Sequence, residues 1–151
     1  MSGDLDDVDA VFQLSFAVQA ALTEVAAAHE LSITQLRLLG ILRDRTPSML
    51  DLARHLKLEK SSVTGLIDRA EARGLVEREA APHDGRAIQV RLTAAGRRLA
   101  KRLTAEADAA LLRLLDALSP AERSRLSTLA TAVIERNGLD QVSGSSSSAS
   151  P

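Results

Sequence analysis

The sequence has no cysteine, tryptophan or tyrosine, and Phe12 and Phe16 are its only phenylalanines. Without cysteine there is no disulfide, thiol redox sensor, cysteine nucleophile or thiolate metal site. Without aromatic platforms, a fold built on aromatic core anchors is excluded, as is capture of single strands by base stacking. No apolar run approaches the roughly 20 residues that span a bilayer, so no membrane partner is expected. The opening stretch MSGDLDDVDA is acidic and carries no basic n-region, so it is not a secretory signal, and a cytoplasmic location is expected. Nucleophile-elbow, phosphate-loop and helix-borne zinc-protease motifs are absent. No acid–base pair or nucleophile stands on a defined turn, so neither an enzyme nor a cofactor is expected.

What is present is one domain's worth of chain: 151 residues, 45% hydrophobic and 26% charged, long enough to bury a core. The net charge of -1 conceals an uneven distribution. Residues 1–30 hold six acids and no Lys or Arg; residues 31–105 hold fifteen basic and eight acidic residues; residues 106–151 are net -2. A basic middle between acidic ends suits contact with a polyanion, although uneven charge also occurs in proteins that bind none.

Periodicity divides the chain into short elements. Val8, Val11, Phe12, Ser15, Val18, Leu22 and Val25 recur at helical spacing with one polar break, which predicts a first helix through about His29. Ser32 with Gln35 forms a capping box that opens a second helix, ending near Thr46-Pro47. Ser48 caps a short third helix with Leu50, Ala53 and Leu56 on one face. A fourth helix runs from Lys60 to Arg73 with Val63, Leu66, Ile67 and Ala70 as its apolar stripe, and Gly74 stands where a C′ glycine belongs. The period then falls to two: Leu75-Val76 starts one strand, Ile88, Val90 and Leu92 alternate in another, and residues 80–87 form a turn between them. Thr93 caps a long fifth helix (Leu99, Leu103, Ala107, Ala110, Leu114, Leu118). Ser119-Pro120-Ala121-Glu122 starts a sixth, with the stripe Leu126, Leu129, Ala130, Val133 and Ile134. The Ser-rich tail is expected to be disordered.

Two short helices followed by a hairpin make a winged helix-turn-helix, so the fold class is mainly α with a small β-hairpin wing. The fourth helix turns Val63, Leu66, Ile67 and Ala70 to the core. The opposite face carries Lys60, Ser61, Ser62, Thr64, Gly65, Asp68 and Arg69. Hydroxyls and a cation beside a helix N-terminus suit phosphates and base edges in a major groove, although a plain solvated face has the same composition. At the hairpin tip, Asp84 and Gly85 satisfy turn chemistry alone. Arg86 is left over, an exposed cation suited to the negative potential of a minor groove.

The runs Leu58-Glu59-Lys60-Ser61-Ser62-Val63-Thr64-Gly65-Leu66-Ile67-Asp68-Arg69 and Arg73-Gly74-Leu75-Val76-Glu77-Arg78 lead to the wing Asp84-Gly85-Arg86 and to Leu92-Thr93-Ala94-Ala95-Gly96. Together they resemble the core of the MarR family of transcriptional regulators. The resemblance implies an interlocked homodimer joined by the N- and C-terminal helices, each subunit presenting one winged helix to a double-stranded DNA operator. It assigns residues 60–65 to the major groove and Arg86 to the minor groove. It also implies that Asp84 pairs with a nearby arginine, Arg73 or Arg78, and so supports the wing. Gly65 departs from the larger polar residue of many relatives, which reduces the base contacts expected there. Members often respond to small phenolic or lipophilic effectors, and Phe12 and Phe16, four residues apart, are candidates to line such a pocket. Core or dimer packing is the plainer account of the two rings.

The implied division is a dimerisation helix at 1–30, a winged helix-turn-helix at 31–92, dimerisation helices at 93–138 and a disordered tail at 139–151. The expected function is a sequence-specific transcriptional regulator, a repressor released by an effector. The alternatives are a winged-helix module that binds protein, or a nucleoid-type protein without sequence preference. His29, His55 and His83 fall on separate elements without a third ligand at metal-binding spacing, and Asp4, Asp6, Asp7 and Asp9 lack the glycine and terminal glutamate of a calcium loop, so no metal site is expected.

Overall fold

The computed structural model describes residues 4–138; the tail assigned to disorder lies outside them. Six helices and one hairpin follow in the order α1 (Asp7–Ala27), α2 (Ile33–Asp44), α3 (Met49–Leu56), α4 (Lys60–Ala72), β1 (Val76–Ala81), β2 (Asp84–Leu92), α5 (Ala94–Leu114) and α6 (Pro120–Arg136). Most helix starts are set by a side-chain cap. Asp6, Ser32, Ser48, Thr93 and Ser119 each accept a hydrogen bond from a backbone N–H in the first turn, and Ser32 and Ser119 complete capping boxes with Gln35 and Glu122. Gly74 takes φ +71° just past α4, the left-handed geometry that turns the chain into β1.

The strands pair antiparallel, with Val76 opposite Leu92 and Arg78 opposite Val90, and the register shifts at Ala80/Ala81 near the tip. The base of this hairpin is tied to the loop before α3: the Val90 N–H donates to the Pro47 carbonyl at 2.9 Å, and Ser48 bridges Gln89. The core lies between α2, α3, α4, the hairpin base and α5, where Leu38, Leu39, Leu52, Val63, Ile67, Val76 and Val90 are almost wholly buried. Gly96 explains the small residue in the first turn of α5. A Cβ there would fall 1.9 Å from the Leu75 carbonyl oxygen, while the Thr93 hydroxyl donates to the Gly74 carbonyl at 2.6 Å. The start of α5 is thereby pressed onto the α4–β1 turn.

Three expectations need correction. In α3 the buried residues are Leu52 and Leu56, whereas Leu50 is 61% exposed, because the helix leans on the core one position round from the expected face. Ile88 is also exposed, since the hairpin has left the core by that point. By length and mean hydropathy alone (1.4), α1 does reach the size of a membrane span. That measure does not separate a membrane span from a helix placed between protein surfaces, and Gln13, Gln19, Thr23 and Glu24 interrupt its apolar surface.

The terminal helices differ from the rest. The second half of α1 packs on α2 and α5, but Val8, Val11, Phe12, Leu14 and Phe16 are exposed. In α6 no residue is buried, and Leu129, Val133 and Ile134 of its apolar stripe face solvent.

Candidate nucleic-acid interface

The site is built on α4. Its stripe Val63, Leu66, Ile67 and Ala70 is buried against the core, so the opposite face must be presented outward. Lys60, Ser61, Ser62, Thr64, Asp68 and Arg69 are exposed and Gly65 is half-buried. The N-cap, Glu59, makes no side-chain bond to the first turn, unlike the caps of the other helices. The first-turn N–H groups of α4 are therefore not covered by a capping side chain, and the positive end of the helix dipole lies beside Lys60. Thr64 donates its hydroxyl proton to the Lys60 carbonyl at 3.0 Å, which fixes its rotamer and leaves the oxygen lone pairs outward. A Cβ at Gly65 would meet only the end of Arg69 at 3.4 Å, so the glycine keeps the middle of the face low without being sterically required.

The wing stands beside this face. Between α3, α4 and the hairpin lies an open groove of about 590 Å³, whose lining includes Leu50, Lys60, Thr64, Arg78, Arg86 and Ile88. Lys60, Thr64 and Arg86 are thus brought to one groove. Ser61, Ser62 and Arg69 lie along the same helix outside it.

The support of the wing differs from the pairing expected for Asp84. Its carboxylate accepts from the Arg86 backbone N–H at 3.0 Å and thereby shapes its own turn. Arg78 on β1 instead bridges two α4 carboxylates, Asp68 at 2.5 Å and Glu71 at 2.8 Å. The Asp68 hydrogen bond, followed by that of Glu71, pushes the Arg78 guanidinium further into its charged form. Arg73 turns away from the wing and donates to the carbonyls of His29 and Glu30, both at 3.1 Å, tying the end of α4 to the α1–α2 turn. That turn is pinned in turn to α5, where His29 Nε2 lies 2.7 Å from Glu106. Neither the Arg78 bridge nor the His29–Glu106 contact is among the sequence expectations. Acids at positions 68 and 71, one helical turn apart and facing a hairpin that carries Arg78, are the signal for the first; residues 77 positions apart leave none for the second.

Phe12 and Phe16 stack at 6.4 Å between ring centroids, 56% and 61% exposed, so in the single chain they belong to no core. Among the described residues, no three His, Asp or Glu side chains come together as a metal site.

Comparison with known proteins agrees with this fold. Residues 29–87 match the model of the MarR family. The uncharacterized HTH-type transcriptional regulator YfiV of Bacillus subtilis is 32% identical over 95 residues, covering 62% of this chain; the match spans 59% of that protein's length. Among solved structures, apo MarR from E. coli superposes with a TM-score of 0.76 at 20% identity, over 88% of this chain and 99% of that one. CouR from Rhodococcus jostii RHA1, solved bound to p-coumaroyl-CoA, gives 0.73 at 24% identity, over 85% and 92%. The matched segment holds α2 to the wing tip, so this part of the chain is similar to the MarR family, and the superposition extends the likeness in fold to the terminal helices.

Proposed function

We propose that this protein is a dimeric, cytoplasmic transcriptional regulator that reads double-stranded DNA, acting as a repressor released by a small apolar or phenolic effector. The observation that carries this reading is the convergence of Lys60, Thr64 and Arg86 on one groove between α4 and the wing. With α4 in a major groove, Lys60 and the uncapped first turn meet phosphate, while Ser61, Ser62 and Thr64 approach base edges and Arg69 the far backbone. Arg86 enters the neighbouring minor groove. Arg78 holds the wing at a fixed angle to α4, so both grooves are engaged together. The bare apolar faces of α1 and α6 are covered by a second copy, which sets two reading heads on a two-fold axis. The effector reading rests on the exposed Phe12 and Phe16 and on the ligand of CouR; dimer packing is the competing role for those rings.

Titration of a duplex at several salt concentrations tests the reading. Six to eight phosphate contacts per dimer give a slope of log binding constant against log salt of roughly -5 to -7. Lys60→Ala is expected to make that slope shallower by about two, weakening all duplexes alike. Ser62→Ala or Thr64→Ala is expected to weaken the preferred site more than random DNA. A flat salt dependence, or no duplex binding at low salt, would leave a protein-binding winged helix as the better account. Binding without sequence preference would favour a nucleoid-type protein.

A further inference from the structure

Two opposite charge clusters are left over once the DNA-facing groove is described. Arg97, Arg98, Lys101 and Arg102 on α5 are exposed, and none forms an ion pair among the described residues. Their spacing sets like charges four residues apart, near the positive end of a helix with no acid in its first turn, an arrangement that costs helix stability. Asp4, Asp6, Asp7 and Asp9 at the start of α1 are likewise exposed without an ion-pair partner among the described residues.

The two clusters of one chain cannot meet. The cleft between α1 and α5 is lined by Ala21 and Ala28 on one side and Ala109 and Leu114 on the other, while His29 holds Glu106, so the helices run antiparallel with the end of α1 beside the middle of α5. At about 1.5 Å per residue, α1 carries its acidic end roughly 30 Å from His29, past the far end of α5. The basic stripe lies about 6–12 Å from Glu106 in the opposite direction. Some 40 Å therefore separates the two clusters within a chain. DNA at the wing is no better placed to cover the stripe. From Arg86 to Leu92, β2 runs back about 20 Å from the tip before α5 begins.

We infer that the cationic stripe of α5 receives the acidic start of α1 from a second copy, a latch made twice across the two-fold axis. The latch fits the other exposed features. The apolar first half of α1 has no cover in its own chain, and a helix whose acidic end seats on the partner's α5 carries Val8, Phe12 and Phe16 onto that partner. Arg97 and Lys101 also line, with Arg43 and Asp108, an open cleft of about 440 Å³ beside α2, which gives the incoming end a concave seat. The inference rests on the dimeric reading and adds to it a polar register that makes assembly sensitive to salt.

Charge reversal of the full chain tests it. One variant carries Asp4→Lys, Asp7→Lys and Asp9→Lys, leaving the Asp6 cap intact; the other carries Arg98→Glu, Lys101→Glu and Arg102→Glu, leaving Arg97 on the Leu92 carbonyl. Sedimentation at low salt is expected to show each variant alone dimerising at least about tenfold more weakly than the parent, from several small ion pairs turned repulsive. Mixing the two is expected to restore parental affinity as a heterodimer, because both latches are then complementary; that recovery also shows that both variants fold. Unchanged dimerisation of either variant, or no preference for the heterodimer, overturns the latch. Weakened duplex binding by the stripe variant with its dimer intact overturns it in favour of DNA. A parent protein that is monomeric at micromolar concentration removes the dimeric reading itself, and does so before any variant is measured.

Discussion

The winged part and the terminal helices of this chain satisfy their apolar surfaces differently. From α2 to the base of the wing, each element buries a stripe: Leu38 and Leu39 on α2, Leu52 and Leu56 on α3, Val63 and Ile67 on α4, Val76 and Val90 on the strands. In α6 and the first half of α1, residues of the same kind at the same helical spacing stay in water. In the proposed dimer, the difference separates a part that completes its core within one chain from a part whose apolar faces a second copy covers. On that reading it also separates two tasks: a rigid reading surface on one side, and a face that fixes how two such surfaces are spaced on the other.

The widest gap between the two parts is expected from matched substitutions. Leu52→Ala removes a wholly buried side chain and is expected to cost ~2–5 kcal/mol of unfolding free energy, read by denaturant titration. Val133→Asp on α6 is expected to leave the fold of the single chain intact by circular dichroism and to convert the proposed dimer to monomer by sedimentation, because Val133 is exposed in the single chain and only a second copy would bury it. Equal losses of fold in the two variants would erase the distinction.

Next in size is the wing tip. Arg86→Ala is expected to cost ~1–3 kcal/mol of DNA affinity per wing, with thermal stability unchanged because the side chain is exposed. Arg78→Met has the reverse signature within the same part. Its Asp68 and Glu71 partners are largely solvated, so stability falls by less than about 1 kcal/mol. DNA affinity falls through a wing no longer held to α4, without the change in salt slope that Lys60→Ala produces.

The smallest effect is on acid stability, and it is shared by both parts. The hydrogen bond from Arg43 holds the Asp44 carboxyl below its usual range, and the Ser119 backbone N–H does the same for Glu122 at the start of α6. A carboxylate depressed in the folded state adds stability above its unfolded pKa and loses it as pH falls through the folded value. From these two groups, stability is expected to be flat from neutrality down to about pH 5 and to decline below about pH 4, as a thermal melt series would record.

Much of this architecture can be read from local chemistry. Ser32, Ser48, Thr93 and Ser119 are caps because their side chains sit one position before an apolar-periodic run, and Gly74 marks the end of α4 for the same local reason. The face of α4 follows from four apolar residues at helical spacing. What could not be read depends on how elements approach one another. Leu50 and Leu52 are equivalent in composition and differ only in the angle at which α3 meets the core. Arg73 and Arg78 were both candidates for Asp84, and tertiary approach sends one to the α1–α2 carbonyls and the other to Asp68 and Glu71. Phe12 and Phe16 are exposed in the single chain, so its packing alone does not assign them a role.

The measurement that bears most directly on the account is selection of bound duplexes from a random pool by the full-length protein. Two α4 helices on a two-fold axis predict an enriched site with inverted half-sites about one helical turn apart, 10–10.5 base pairs or a multiple. An enriched site without two-fold symmetry would contradict the paired reading heads, and a pool that emerges unenriched would contradict sequence-specific reading by α4.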